Sequence, residues 1–145
     1  MLIRSYQRRD FDDCDWLQRS FYACPATQEE LRGKLENPSW VAVTEDDEVV
    51  GNIIICPYWS DGNECVLIWS IVVATALRGQ GIGGKLMDAA ESFYKGREIH
   101  LHVEPTNRAA QFYRRRGYQD VHFWPNFYGT GEAAIEMCYE NKVAR

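Results

Sequence analysis

The sequence lacks any paired-cysteine spacing. Its five cysteines (Cys14, Cys24, Cys56, Cys65 and Cys138) are odd in number, and none falls in a CxxC or finger-like arrangement. That argues against a disulfide framework and a structural zinc finger, and makes the cytoplasm the expected compartment. No apolar run approaches the ~20 residues that a membrane-spanning helix needs. The N-terminus MLIRSYQRRDFDD carries charge from Arg4 onward, unlike a secretory leader, so no membrane partner is expected. Internal repeats, low-complexity tracts and linkers are also missing. Positive charge is in short supply: 16 Lys and Arg against 21 Asp and Glu leave a net charge of −5, which does not suggest a nucleic-acid surface. The one basic cluster, Arg114-Arg115-Arg116, ends a helical-looking segment, where cations complement the helix dipole. Contact with a ligand phosphate is its alternative role.

What is present suits one domain spanning 1–145, with room for a genuine core but not for two. Apolar residues make up 46% and charged residues 26%, ordinary for a globular chain. Aromatics are plentiful, with eight Tyr, six Phe and five Trp, several of them in the last third.

Hydrophobic periodicity divides the chain into elements. Leu2–Tyr6 reads as a strand. Phe11–Tyr22 reads as a helix with Phe11, Cys14, Leu17 and Phe21 on one face. Thr27 followed by Glu30 predicts a capped short helix to Glu36, broken by Asn37-Pro38. Strands are expected over Trp40–Thr44, Val49–Tyr58 and Glu64–Ala74, the last apolar enough for burial on both faces. The turn Ser60-Asp61-Gly62-Asn63 separates the second and third of these. Gly83–Tyr94 is a helix with Leu86, Met87, Ala90 and Phe93 on one stripe. Glu98–Val103 is a strand, Arg108–Arg115 a helix closed by Gly117, and Tyr118–Trp124 and Ala133–Tyr139 are two last, antiparallel strands. This order predicts an α/β (α+β) domain, a mixed sheet with helices packed on it.

The stretch from Ile71 to Met87 carries the chemistry. A buried strand runs into a loop bearing Gly79, Gly81, Gly83 and Gly84, which opens directly into a helix. Glycines let the backbone turn sharply and approach a ligand closely, while free N–H groups at a helix N-terminus attract an anion. A pyrophosphate is the guest such a loop suits. A Walker loop is excluded because Leu86 stands where Ser or Thr belongs after Lys85, and a Rossmann loop because the turn comes in mid-chain.

Arg78-x-x-Gly81-x-Gly83 resembles the acetyl-CoA signature R/Q-x-x-G-x-G/A of the GNAT acetyltransferases. A second segment, Leu101-His-Val-Glu-Pro-Thr-Asn-Arg-Ala-Ala-Gln-Phe-Tyr-Arg-Arg-Arg-Gly-Tyr118, resembles that family's L-x-V-x-x-x-N-x-x-A-x-x-x-Y-x-x-x-G-F/Y. The resemblance implies a mostly antiparallel sheet of about seven strands flanked by about four helices. It implies acetyl-CoA as cosubstrate, with Arg78, Gly79, Gln80, Gly81, Ile82, Gly83 and Gly84 around the pyrophosphate. Ile71, Val72 and Val73 would then lie along the pantetheine like an added strand. Asn107 precedes Tyr113 by one residue fewer than in the family, so the helix-start contact falls to Asn107 or to Thr106.

Acetyl transfer needs a neutral amine and a protonated leaving thiolate. Tyr113 matches the family's general acid; a phenol of pKa ~10 keeps its proton at neutral pH. For the base, His102, His100 and Glu64 are compared, with His102 the first candidate and Glu64 the second. His102 shares a strand face with His100, opposite Ile99, Leu101 and Val103, and stands where some N-terminal acetyltransferases carry their base. Glu64 opens a strand on which other family members place a carboxylate. A metal ion shared by His100 and His102 would lack an evident third ligand, and thioester aminolysis requires none, so no metal is expected.

Trp124-Pro-Asn-Phe-Tyr-Gly-Thr-Gly-Glu-Ala-Ala-Ile-Glu-Met137 resembles the Y-Y-x-x-G-E-D-A-x-x-M segment of protein N-terminal and ribosomal-protein alanine acetyltransferases. Phe127 and Tyr128 take the places of a tyrosine pair that embraces the first peptide residues. The resemblance therefore implies a protein or peptide N-terminus as acceptor. A small amine (polyamine, amino acid or drug) is the alternative within the same chemistry. A non-catalytic CoA-binding module is the alternative outside it, against which the intact Tyr113 speaks. A homodimer is left open.

Overall fold

The computed structural model describes residues 1–127 and 131–141. Its strands are β1 (Leu2–Ser5), β2 (Ser39–Val43), β3 (Val49–Ser60), β4 (Asn63–Val73), β5 (Glu98–Val103), β6 (Gln119–Trp124) and β7 (Ala134–Glu140). The α-helices among the described residues are α1 (Phe11–Phe21), α2 (Gln28–Leu35), α3 (Ile82–Phe93) and α4 (Ala109–Arg115). The strands form one seven-stranded sheet in the order β1-β2-β3-β4-β5-β7-β6. β4 and β5 pair in parallel, whereas β1–β2, β2–β3, β5–β7 and β6–β7 are antiparallel. The mixed α/β class and the element order expected from the sequence are both present.

Two compact units divide the chain, Met1–Cys56 with Trp69–Phe93, and Pro57–Ile68 with the chain from Tyr94 onward. In the first unit, side-chain alternation along β2 sends Val41 and Val43 to one face. There they pack with Phe11, Cys14 and Leu17 of α1 and Leu31 and Leu35 of α2. Ala42 faces the other way, toward α3, where Gly51 lets the helix come close: a Cβ on Gly51 would lie 3.2 Å from Leu86 Cδ1. Phe21 and Phe93, expected on buried stripes, are 44% and 60% exposed. Each ends its helix beyond the core and lies edge-on to a neighbouring ring, Phe21 to Tyr22 and Phe93 to Trp40.

Thr27 starts α2 as foreseen, its hydroxyl accepting from the Glu30 N–H at 3.1 Å. Two short 3-10 turns, Arg8–Asp10 and Thr75–Leu77, were not foreseen; three residues leave no periodic trace in a sequence. Burial on both faces belongs to β3 over Val49–Cys56. β4, where it was expected, alternates instead: Val66, Ile68, Ser70 and Val72 are buried, with half-buried residues between them.

In the second unit, β3 turns into β4 through Asp61 and Gly62, at φ +50° and +77°. Positive φ at both central residues is what a tight type I′ hairpin demands, and Asp-Gly supplies it. β5 lies opposite β7 with Ile99, Leu101 and Val103 facing Tyr139, Met137 and Ile135. Gly117, at φ +98°, ends α4 and sets Tyr118 against Tyr139 at 5.1 Å. Arg114 forks onto Asp120 at 2.9 and 3.1 Å, so one cation of the basic cluster serves the turn into β6. No helix among the described residues is long and apolar enough to cross a membrane.

Candidate active site

In the first unit the glycine loop has the geometry its composition suggests. After the turn Thr75–Leu77 the chain is extended at Arg78, then passes through positive φ at Gly79 (+82°) and Gly81 (+81°). α3 begins at once, and the Lys85 N–H bonds to the Gly81 carbonyl at 3.1 Å. The N–H groups of Ile82, Gly83 and Gly84 precede that bond, so the helix leaves them for an outside acceptor. A Cβ added at Gly79, Gly81 or Gly83 would meet nothing within 4 Å. Glycine at 79 and 81 is therefore required by backbone conformation, and the space above the loop is open to a ligand. N–H groups without an intrahelical acceptor at a helix start, beside an open surface, fit a pyrophosphate.

Val72, Val73 and Arg78 line a groove of about 280 Å³ with Ala74, Trp16 and Phe21 among its other walls. Arg78 reaches back, its Nε donating to the Val73 carbonyl at 3.3 Å while its guanidinium lies 5.1 Å from the Phe21 ring centre. Ile71 is half-buried. Behind the groove the buried Gln18 donates to Ser70 Oγ at 2.9 Å, and the Tyr22 hydroxyl lies 2.9 Å from the same oxygen.

In the second unit one buried carboxylate organises the polar residues. Glu136, 3% exposed, lies directly opposite His102 in the β5–β7 ladder. It accepts from Trp124 Nε1 at 3.0 Å and from the Tyr58 hydroxyl at 3.2 Å. His100 Nδ1 approaches its other oxygen at 2.7 Å, and His102 Nε2 lies at 3.4 Å. Burial works to raise the Glu136 carboxyl, but the Trp124 and His100 hydrogen bonds outweigh it and hold its pKa below the usual value. Burial lowers His102, partly offset by Glu136. Burial, reinforced by Glu136, pushes Tyr58 up to about 12.

His102 is a half-buried ring on the sheet face that carries His100 and Glu136. It stacks on Phe127 with centroids 4.3 Å apart and planes 26° from parallel. Its Nδ1 has no hydrogen-bond partner among the described residues, so a histidine oriented through one nitrogen keeps the other available to take a proton. Tyr113 is 8% exposed on α4, its ring between Phe112 and Tyr118 at 5.3 and 6.0 Å. Glu64 is on the opposite sheet face from His100, by alternation from Leu67, the parallel partner of His100. Its exposed carboxylate pairs with Arg97 at 3.8 Å. Arg108 is the N-cap of α4, and Asn107 precedes it, its Oδ1 accepting from the Ala109 N–H at 2.9 Å and its carbonyl from the Ala110 N–H. Tyr128 lies outside the described residues.

Glu136, Tyr58 and Trp124 were missed at the level of sequence. Glu136 did leave a signal: an acid at an inward position between Ala134 and Cys138, where the strand pattern calls for an apolar side chain.

Comparison with known proteins then decides the family. Residues 3–118 match the Acetyltransferase (GNAT) family. The chain belongs to that family. An uncharacterized N-acetyltransferase of Methanocaldococcus jannaschii is 33% identical across the whole chain and 95% of its own length. This GNAT protein is thus an acetyl-CoA-dependent N-acetyltransferase. Its fold is shared with the ribosomal-protein-S18-alanine N-acetyltransferase of Escherichia coli, at a TM-score of 0.84 and 18% identity over 99% of this chain and 96% of that one. An aminoglycoside 6'-N-acetyltransferase complexed with coenzyme A is as similar, at a TM-score of 0.84 and 21% identity over 100% and 99%.

Proposed function

We propose that the whole chain acts as one domain that acetylates the α-amine of a protein or peptide N-terminus. The observation that carries this reading is the His102–Phe127 stack beside the buried Glu136, flanked by Tyr58 and Trp124. Flat aromatic walls next to a proton acceptor suit a short extended peptide whose amine must lose a proton before it attacks. The fold shared with the alanine acetyltransferase of Escherichia coli supports the same acceptor class.

Bound acetyl-CoA supplies the activated acetyl thioester. The N–H groups at the start of α3 hold its pyrophosphate, with Arg78, Gly79, Gln80 and Gly81 shaping the loop and Ile82, Gly83 and Gly84 opening the helix. Ile71, Val72 and Val73 offer the β4 edge to the pantetheine, and Asn107 makes its contact from the start of α4. His102 takes the proton of the amine, Glu136 holding the imidazole from behind. Tyr113 gives its phenolic proton to the departing sulfur. Phe127 and Tyr128 flank the first residues of the peptide. Glu64 is the lesser candidate for base, since its carboxylate is exposed and engaged by Arg97.

The fold shared with an aminoglycoside acetyltransferase favours a second reading, a small polar amine as acceptor. Thiol release from acetyl-CoA, measured with peptides of varied first residue, polyamines and aminoglycosides, separates the two. The proposal expects free-amine peptides to lead by about tenfold or more in kcat/KM, the range that a few pocket contacts can supply. A polyamine or aminoglycoside preferred by that margin would overturn it, as would equal turnover of peptides with blocked α-amines.

A further inference from the structure

His100 stands between two carboxylates. Its Nδ1 lies 2.7 Å from Glu136 and its Nε2 2.5 Å from Glu98, with the ring 3% exposed. A neutral imidazole carries one N–H and can donate to only one of them. The other contact requires a shared proton or a cation between Nε2 and Glu98. Glu140, directly opposite Glu98 in the β5–β7 ladder, adds a like charge to this face.

A soft donor completes the setting. Cys65 of β4 is 1% exposed, and one ligand atom each from Cys65, Glu98 and His100 lie within 4.8 Å of one another. The sheet brings them together: β4 and β5 pair in parallel at Val66–Ile99 and Leu67–His100, so Cys65 falls on the face that carries Glu98 and His100. Cys138 lies opposite His100 on β7, and burial with the nearby Glu98 carboxylate pushes its thiol up to about 12. Glu98 is 43% exposed, which gives an ion a way in from solvent.

We propose that Cys65, Glu98 and His100 form a binding site for a divalent transition-metal ion, with Zn²⁺ the best match to a thiolate, imidazole and carboxylate set. At metal–ligand distances of about 2.0–2.3 Å the donors of one tetrahedral ion stand roughly 3.3–3.7 Å apart, so an ion would part His100 Nε2 and Glu98 from their 2.5 Å contact, with Cys65 at a similar spacing. Glu136 on Nδ1 provides the outer carboxylate that typically fixes a ligating histidine, leaving Nε2 to the ion. The ion takes the place of the Cys65 thiol proton and of the proton shared between Nε2 and Glu98, both of which pass to solvent; no electron is transferred. The site ties β4 to β5 and has no part in the thioester chemistry.

The test uses the whole protein, stripped with a chelator and titrated with Zn²⁺ by calorimetry and with Co²⁺ by absorbance. Wild type should bind one Zn²⁺ per chain and show a thiolate-to-cobalt charge-transfer band. Cys65→Ser should lose the band, and Glu98→Gln, at a half-exposed position that does not endanger folding, should weaken Zn²⁺. Glu136→Gln should weaken it by about 10–100-fold, as loss of an outer partner does. Failure of wild type to bind at this stoichiometry overturns the site, and so does unchanged Zn²⁺ affinity in Glu98→Gln or a band that persists in Cys65→Ser.

Discussion

Glu136 faces His102 across the β5–β7 ladder, its Oε1 3.4 Å from the ring's Nε2, while the same oxygen accepts from Trp124 and Tyr58. The carboxylate is thus the shared acceptor for side chains from β3, β5 and β6. Its removal should be felt in stability first. Glu136→Ala leaves buried donors unpaired and is expected to cost about 3 kcal/mol, while Glu136→Gln, which keeps an acceptor oxygen, costs about 1 kcal/mol. Urea denaturation of the variants checks this, and equal midpoints would mean that the network contributes little.

The proton-transfer assignments separate by substitution. Tyr113→Phe keeps the ring packed between Phe112 and Tyr118 but removes the hydroxyl, and should slow the chemical step by about 10²–10⁴-fold with folding intact. His102→Gln should slow it by a similar order without weakening acetyl-CoA binding. Glu64→Gln should leave the rate within about threefold, since a screened surface ion pair is worth little. Single-turnover kinetics distinguishes these outcomes. A large loss in Glu64→Gln together with a normal rate in His102→Gln would reverse the assignment of the base.

The glycine loop predicts two substitutions with opposite effects on stability. Gly81 sits at φ +81°, so Gly81→Val introduces strain of about 1–2 kcal/mol and should also abolish CoA binding. Gly83 lies inside the first turn of α3 with open space where a Cβ would go. Gly83→Ala should therefore hold or raise the melting temperature, by up to ~1 kcal/mol of helix propensity, yet weaken CoA by crowding the anion. Calorimetry with CoA beside thermal melts reads both; unchanged CoA affinity in a folded Gly81→Val would remove the loop from the binding site.

Acid sensitivity should trace to Asp10. Its carboxylate is 4% exposed and takes a two-pronged contact from Arg4 at 2.8 and 2.9 Å, with the Gln7 N–H at 2.8 Å. Burial alone would raise its pKa, but Arg4 and the Gln7 N–H outweigh it and hold it below the ordinary aspartate value. A carboxyl depressed in the folded state stabilises fully above its unfolded pKa of ~3.9, and that stabilisation fades as pH falls through the lower folded value. Asp10→Asn should lose about 2 kcal/mol at neutral pH and depend less on pH between ~5 and ~3. Chemical denaturation across that range checks it; an identical acid slope in the variant would point to another carboxylate.

By itself the sequence determined the elements and the glycine loop that opens α3. Periodic stripes such as Phe11-Cys14-Leu17 and Leu86-Met87-Ala90 are local signals, and so are the Asp61-Gly62 turn and the glycines after β4. Each rests on interactions within a few residues, and each stands in the structure close to where the chain pattern put it. The fold decided what depends on strands distant in sequence. Sheet register places Glu136 opposite His102 and Cys138 opposite His100, and parallel pairing brings Cys65 beside Glu98 and His100. It also turned Glu64 to the face opposite His100. Register has period two, so a shift of one residue would have sent each of these side chains to the other face. No local pattern specifies that shift; it is set by which apolar face the whole sheet buries.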